Sequence, residues 1–241
     1  IGRAGAWVQP RGDGQVIHKY ESMRADAGFD PTGVERPLLE PRRDASLGVF
    51  AEYGLTPRLT LQIKGDWQDG RDAFVDYEGR GPIEAGLTWQ VWRDDANAVS
   101  LYGGYADAGE GRNAGYAQPG VGEHDWEARV SVGRSLTSTA KRLGIDHAFI
   151  EVQAARRLRD GLPDETRMDA TAGARFGGGD WMVLAQTFGG AADGGARWLN
   201  LEASLVRDMG PWSVQAGWRQ TVAGQETPVA QGPVLAIWRR F

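Results

Sequence analysis

Apolar and polar residues alternate strictly in the C-terminal part of the chain. The pattern runs through residues 199–205, is interrupted at 208–211 by a short segment with Asp, Gly and Pro, and resumes through 212–219. A period of two is that of a β-strand whose two faces meet different surroundings. The segment therefore predicts consecutive strands joined by a tight turn, with a last strand that ends at Phe241.

The same alternation recurs along the whole chain and predicts twelve strands. They span residues 15–26, 45–55, 59–67, 83–91, 99–106, 126–132, 148–154, 167–176, 181–188, 199–205, 212–219 and a final stretch up to Phe241. Prolines, glycines and charged residues predict long loops at 27–43, 69–80 and 109–123, whereas 56–58, 94–97 and 177–180 read as tight turns. The pattern does not decide which face of residues 181–188 is the apolar one.

Short turns and longer polar loops alternate between these predicted strands. An even number of strands, with short turns at one end and long loops at the other, is typical of bacterial outer-membrane barrels. A soluble β-sandwich has no reason to sort its connections in this way, and a soluble sandwich or lipocalin-like binder would be recognised by partitioning into water without detergent. We therefore predict an all-β fold, a transmembrane antiparallel up-and-down β-barrel of about 12 strands formed by residues 15–241, with both termini on the periplasmic side.

Composition narrows the possible functions. The 241 residues include no Cys, which excludes disulfides and thiolate metal sites. The formal net charge of −5 and the lack of a basic stripe argue against a nucleic-acid partner. No run of about 18 apolar residues occurs, so a transmembrane helix is not predicted. Because the sequence starts at Ile1, we expect a mature protein whose leader has been removed.

Two segments carry a resemblance to a known class. Residues 52–61 (EYGLTPRLTL) are similar to a strand–turn–strand unit of many uncharacterised barrel transporters, and Phe241 resembles the terminal aromatic residue that the barrel-assembly machinery recognises. Leu235 and Ile237 keep the expected alternation before it, whereas Arg239 departs from it. Residues 15–241 thus resemble a Gram-negative outer-membrane β-barrel of the porin-like type. The resemblance implies an outer-membrane location, lipid and the assembly machinery as partners, and passage of small solutes.

Polar residues on the face opposite the apolar one are candidates for lining the lumen of such a barrel. They are Glu52, Gln62, Lys64, Asp66, Glu84, Gln90, Glu127, Arg129, Glu151, Arg167, Asp169, Arg175, Glu202 and Arg219. Both signs of charge are interspersed, which fits a polar pore that filters a solute or a lumen filled by salt bridges. The mixture argues against a strongly ion-selective filter. The predicted function is passage of a small polar or amphipathic solute through this charge-lined lumen.

Two other functions stay open. A closed structural barrel that partners a larger envelope complex is compatible with a salt-bridged lumen. Residues 1–14 are predicted to form a periplasmic segment, either a flexible tail or a plug anchored by Trp7. A surface hydrolase using His124 is less favoured, because His124 and Asp125 would point to opposite faces of a strand. No metal-ligand spacing, phosphate-binding loop or nucleophile elbow is visible, so no cofactor and no metal are expected.

Tryptophans gather near the predicted strand ends. They are Trp67, Trp89, Trp126, Trp181, Trp198, Trp212 and Trp218. Aromatic residues at both ends of a transmembrane barrel form girdles at the two membrane interfaces. We interpret these tryptophans as such girdles rather than as core or ligand-stacking residues of a soluble fold.

Overall fold

The computed structural model describes residues 5–74, 76–107, 123–136, 140–142 and 144–241. Its strands are β1 (Gly14–Phe29), β2 (Glu35–Thr56), β3 (Leu59–Arg71), β4 (Asp76–Arg93), β5 (Asn97–Asp107), β6 (His124–Ser135), β7 (His147–Arg159), β8 (Glu165–Phe176), β9 (Trp181–Ala192), β10 (Arg197–Met209), β11 (Trp212–Gln225), β12 (Thr227–Pro228) and β13 (Gln231–Arg240). No helix among these residues is long and apolar enough to cross a membrane.

The sheet closes on itself. Each strand from β1 to β11 pairs antiparallel with the next, β11 pairs with β13, and β13 pairs with β1. The two-residue strand β12 pairs with the far end of β1. The twelve long strands thus form a complete barrel, which confirms the predicted fold class and strand number. The start of β1 and the end of β13 lie at the same rim, called here the turn end, and the opposite rim is the loop end.

The outer face of the barrel is apolar and the inner face is largely polar. Alternate residues of β2 show the pattern: Leu47 and Tyr53 are exposed, whereas Glu52 is buried. Exposed apolar side chains recur around the sheet, among them Ile63, Leu87, Leu101, Val130, Val152, Val183, Leu201, Val214 and Leu235. A closed sheet with this outer face suits the membrane, because all its backbone groups are paired within the barrel.

An arginine on this outer face is expected to destabilise the barrel. Leu61 on β3 lies between Tyr53 of β2 and Leu87 of β4, both of which point outward. Leu61 is the third residue of β3, between the turn-end girdle at Trp89 and the middle of the strand. We expect Leu61→Arg to lower the unfolding free energy by about 1–2 kcal/mol, between the cost near the interface and the cost at the midplane, because a charge at this depth loses part of its hydration. Urea titration in lipid vesicles measures this. A loss no larger than that of Leu61→Ala would contradict the lipid-facing assignment.

Two of the three predicted long loops are strands instead. The prediction of a loop over 27–43 is wrong, because β1 continues to Phe29 and β2 starts at Glu35. The predicted loop over 69–80 is also wrong, because it is occupied mostly by the ends of β3 and β4. Polar residues suggested loops there because the strands continue beyond the apolar belt. The third predicted loop, 109–123, lies outside the described residues except for Glu123.

Prolines within β2 had favoured the loop prediction. Pro37 pairs with Ala27 of β1, and Pro41 lies in the irregular stretch between this pair and Arg42. Neither proline faces a paired residue of β3, since β3 pairs with β2 only from Arg43 onward. A strand edge without a second neighbour tolerates proline, because no ladder hydrogen bond is lost on the free side. The β1–β2 hairpin therefore rises above its neighbour β3 at the loop end.

The turn between β4 and β5 is closed by a carboxylate. Asp94 accepts hydrogen bonds from the backbone N–H groups of Ala96 (2.8 Å) and Asn97 (2.7 Å). These backbone hydrogen bonds hold the pKa of Asp94 below its ordinary value. The short turn predicted at 94–97 is thus stabilised in the ionised state of Asp94.

Most of the predicted girdle tryptophans lie on the outer face near the rims. Trp67 and Trp126 are exposed near the loop end, and Trp89 and Trp212 near the turn end. The prediction for Trp198 is wrong. Its indole covers Gly190 on the inner face, where an added Cβ would lie 2.3 Å from the ring. Glycine at this position gives the inward-facing tryptophan the space it needs.

Candidate functional site

A cavity of about 720 Å³ lies inside the barrel. Arg42 and Asp44 of β2 line it near the loop end, and Gly5 and Trp238 line it toward the turn end. Most of its walls are inward-pointing side chains of alternate strand positions, so residues far apart in sequence meet around one space. The cavity is therefore the candidate functional site.

The N-terminal segment, residues 5–9, lies inside the barrel. The N–H of Ala6 donates to Glu151 Oε2 of β7 (2.7 Å), and the carbonyl of Ala6 accepts from Gln90 of β4 (3.0 Å) and Ser100 of β5 (2.7 Å). The N–H of Gln9 donates to Thr60 Oγ1 of β3 (2.9 Å). Contacts with four strands hold this segment at the floor of the cavity.

Trp7 joins this segment to an apolar wall in the lumen. Its ring meets Phe149 edge-on, with 6.1 Å between ring centroids, and also covers Gly133, whose added Cβ would lie 2.4 Å from the indole. The wall consists of Phe149, Met182, Leu184, Val206, Ala236 and Trp238. Met182 and Leu184 point inward, which settles the facing of residues 181–188 that the alternation left undecided.

A charged network fills one side of the lumen. Arg157 of β7 contacts Glu84 of β4 and Glu127 of β6, each at 2.6 Å. Lys64 Nζ lies 2.9 Å from Glu84, and Arg129 pairs with Glu127. Burial of Arg157, Glu84 and Glu127 is nearly complete. The network thus holds side chains of β3, β4, β6 and β7 in fixed positions.

Tyr102 links this network to the next strand. Its hydroxyl donates to Glu84 Oε1 (2.7 Å), and the Arg129 guanidinium lies 4.7 Å from the centre of its ring. Gly86 and Gly104 leave the space that the phenol ring occupies, since an added Cβ at either would lie under 3 Å from it. Tyr102 is therefore held in position both by its hydrogen bond to Glu84 and by the space that the two glycines leave for its ring.

A second network lies on the opposite part of the wall, on β1, β10 and β11. Arg219 contacts Glu202 (2.7 Å) and Glu21 (2.9 Å), and Lys19 contacts Glu21 (2.5 Å). The guanidinium of Arg219 also lies 4.6 Å from the centre of the Phe188 ring. Here the cations and the carboxylates compensate one another within the wall.

The predicted lumen residues fall into three groups. Those that line the cavity are Glu52, Gln62, Lys64, Asp66, Glu84, Arg129, Glu151, Arg167 and Arg219. Glu127 and Glu202 lie behind it in the two networks, and Asp169 is half-buried on the inner face of β8. Gln90 binds the N-terminal segment, whereas Arg175 pairs with Asp208 at the turn end.

Arg157 and Arg159 are inner residues that the sequence analysis missed. The predicted seventh strand ended at Ala154, but β7 continues to Arg159. Glu151 was already assigned to the inner face of this strand. Extending this alternation through 155, 157 and 159 would have found both arginines.

The hydrolase hypothesis receives no support from the geometry around His124. His124 Nδ1 lies 2.7 Å from the hydroxyl of Tyr105, and the two rings stack. Asp125 is buried on the inner face, where Arg157 approaches to 3.8 Å. The two residues therefore do not form a dyad. Within the described part of the chain, no three His, Asp or Glu side chains are grouped to hold a metal ion.

Solved structures of similar shape exist among outer-membrane channels. The COG4313 outer membrane channel from Pseudomonas putida F1 superposes over 100% of both chains with a TM-score of 0.68 and 12% sequence identity. A KdgM porin in complex with disordered oligogalacturonate has a TM-score of 0.60 over 94% of this chain and 99% of that chain, at 6% identity. The NanC porin has a TM-score of 0.57, covering 92% and 98%, at 8% identity.

The fold is that of outer-membrane porins and channels. This conclusion rests on shape, because the sequence identities are very low. No protein-family model and no curated protein matches the sequence. The likeness confirms the predicted porin-like barrel, and the solute has to be argued from the lumen itself.

Proposed function

We propose that the protein is a channel of the Gram-negative outer membrane that passes a small polar or amphipathic solute through its lumen. The observation that carries the proposal is the cavity of about 720 Å³, enclosed by the barrel and lined by charged residues together with the apolar wall. A cavity that offers paired charges and an apolar surface suits a small solute with both kinds of group. The shape shared with outer-membrane channels supports the same function.

The two rims support an orientation with the turn end in the periplasm. Short turns, the start of β1 and the end of β13 share this rim, as expected for the periplasmic side of such barrels. The loop end, with the tall β1–β2 hairpin, then faces outward. A solute entering from outside meets Arg42 and Asp44 first and the N-terminal segment last. The segment would then act as a plug on the periplasmic side.

The proposal is tested by conductance in a planar lipid bilayer. Detergent-purified, folded protein is expected to insert and give discrete current steps, because the cavity reaches from the loop end to the plug. A copy lacking residues 1–9 is measured beside it. Silence from both folded proteins would contradict the channel function.

The C-terminal residue is expected to matter for assembly in cells. Phe241 closes the barrel next to β1: its N–H donates to the carbonyl of Gly14 (3.0 Å), and the Gly14 N–H donates to the carbonyl of Phe241 (2.8 Å). Its side chain is exposed and free to be recognised by the assembly machinery. We expect Phe241→Ser to reduce strongly the amount of assembled barrel in the outer membrane, measured by heat-modifiable migration.

A control separates recognition from stability. Phe176 is a second exposed aromatic residue at the turn end, and Phe176→Ser should leave assembly nearly unchanged. Refolding of the Phe241→Ser protein in detergent should succeed, because the backbone pairing with Gly14 remains. Normal assembly of Phe241→Ser in cells would contradict the role of this residue as a signal.

A closed structural barrel in a larger envelope assembly is the second candidate. The two salt-bridged networks and the N-terminal segment at the floor of the cavity favour it, since both reduce the open cross-section. Under this alternative, even the copy lacking residues 1–9 would give no current.

A further inference from the structure

The positive charges of the lumen are more completely paired than the negative ones. Lys64, Arg129, Arg157, Arg167 and Arg219 each contact a carboxylate of the barrel wall. Four inward carboxylates form no ion pair with any Lys or Arg of the described residues, namely those of Glu52, Asp66, Glu151 and Asp169. These four groups therefore determine the sign of the net charge in the lumen.

Glu52 and Glu151 are held by neutral donors only. Glu52 accepts from the side-chain amides of Gln9 (3.0 Å), Gln15 (2.7 Å) and Gln62 (2.8 Å). Glu151 accepts from the backbone of Ala6 and from Gln153 (2.5 Å). Both carboxylates are more than nine-tenths buried, at 7% and 2% exposure. These donors fix the oxygens in place, and no Lys or Arg of the described residues forms an ion pair with either carboxylate.

Asp66 of β3 accepts fewer hydrogen bonds than Glu52 and Glu151. Its Oδ2 accepts from Gln68 (2.9 Å), whereas its buried Oδ1 has no hydrogen-bond partner among the residues that the structure describes. The carboxylate lies against the backbone of Gly81, where an added Cβ would be 2.0 Å from Oδ1. Asp66 lies in the loop-end half of β3, nearer the mouth than Glu52 and Glu151.

A carboxylate taken out of bulk water without a countercharge is costly, and either a bound proton or a nearby cation relieves that cost. In the ionised state of these groups a mobile cation in the cavity supplies the countercharge, whereas an anion would be repelled from it. Asp66, Glu151 and Glu52 all line the same cavity, from its loop-end half to its floor. They offer successive contacts along the path of a solute.

We propose that the lumen is selective for cations and that its solutes carry a positive charge, as small inorganic cations and amines do. This inference rests on the proposed channel function and deepens it. The even mixture of signs in the sequence had argued against a selective filter. The structure changes that expectation, because the wall itself neutralises the arginines and lysines and leaves the carboxylates to act on the solute.

The test is the reversal potential of the full-length channel under a KCl gradient across a planar bilayer. We expect the sign of the reversal potential to show that K⁺ is more permeant than Cl⁻. Asp66→Asn and Glu151→Gln should each move the permeability ratio toward one. Asp76→Asn is the matched control, because Asp76 is a strand-end carboxylate whose side chain is 79% exposed. The permeability ratio of this variant should stay unchanged.

The outcomes separate this inference from the function on which it rests. A channel that prefers Cl⁻ or shows no preference would overturn the inference and leave the channel function standing. The same holds if neither Asp66→Asn nor Glu151→Gln alters the ratio. Silence from the folded full-length protein and from the copy lacking residues 1–9 would overturn both. Asp66 is only half-buried, so Asp66→Asn serves as the variant least prone to misfold.

Discussion

Removal of residues 1–9 is expected to raise the single-channel conductance several-fold. The N-terminal segment forms the floor of the cavity, where Ala6 is fully buried between Glu151, Gln90 and Ser100. Without it, the turn end of the lumen gains the space now filled by Trp7. The current through a short pore is limited by its narrowest section, so opening this section has a large effect. Single-channel recording in a planar bilayer measures it directly.

The truncation leaves the barrel itself intact. Residues 10–14 remain, and the N–H of Gly12 keeps its hydrogen bond to the carbonyl of Gly54 (2.9 Å). Trp7→Ala should produce a milder form of the same change, with brief openings, because it removes only the contacts with Phe149 and Gly133. Arg11→Ala, at an exposed position, serves as the control. Equal conductance of the truncated and the full-length protein would mean that the segment does not restrict the lumen in the membrane.

Replacement of Arg157 by leucine is expected to lower the unfolding free energy by about 3–5 kcal/mol. Arg157 is 2% exposed and lies between Glu84 and Glu127, which are nearly as buried. Its loss leaves both carboxylates close together in the wall with too little positive charge. Urea unfolding followed by tryptophan fluorescence gives the free energy.

The neighbouring arginine provides the comparison. Arg156 points outward and contacts Asp193 at 2.5 Å on the exposed side of the barrel. An exposed ion pair contributes about 0–1 kcal/mol, so Arg156→Leu should cost far less. Adding Glu127→Gln to Arg157→Leu should recover part of the loss, since one unpaired charge disappears. Equal losses for Arg156→Leu and Arg157→Leu would show that the network does not stabilise the barrel.

The strands that sequence predicts best are those whose two faces differ in chemistry. In β10, Leu201 and Leu205 face outward while Glu202 faces inward, and the alternation assigns them directly. In β9 both faces are apolar, because Met182 and Leu184 belong to the inner wall. The sequence pattern does not distinguish the two faces of this strand, so only the structure shows which face of β9 points inward.

The candidate site could be predicted from the sequence only in part, and the reason is a different one. Which side chains point inward follows from local alternation, and continuing it along β7 would have added Arg157. Which inward charges pair depends on the register of strands far apart in sequence, such as Arg157 with Glu84. The position of the N-terminal segment depends on contacts with four strands. A single sequence holds no local pattern for such contacts.

The tall β1–β2 hairpin presents an unpaired strand edge to neighbouring molecules. Among the described residues, no strand pairs with residues 35–42 of β2 on the side of β3, and Leu39 on this stretch is 84% exposed. An open strand edge beside an exposed apolar residue is a template for joining sheets of separate molecules into aggregates. Pro37 and Pro41 flank Leu39 and have no N–H to offer an incoming strand. We therefore expect the two prolines to hinder strand pairing between the rims of neighbouring barrels.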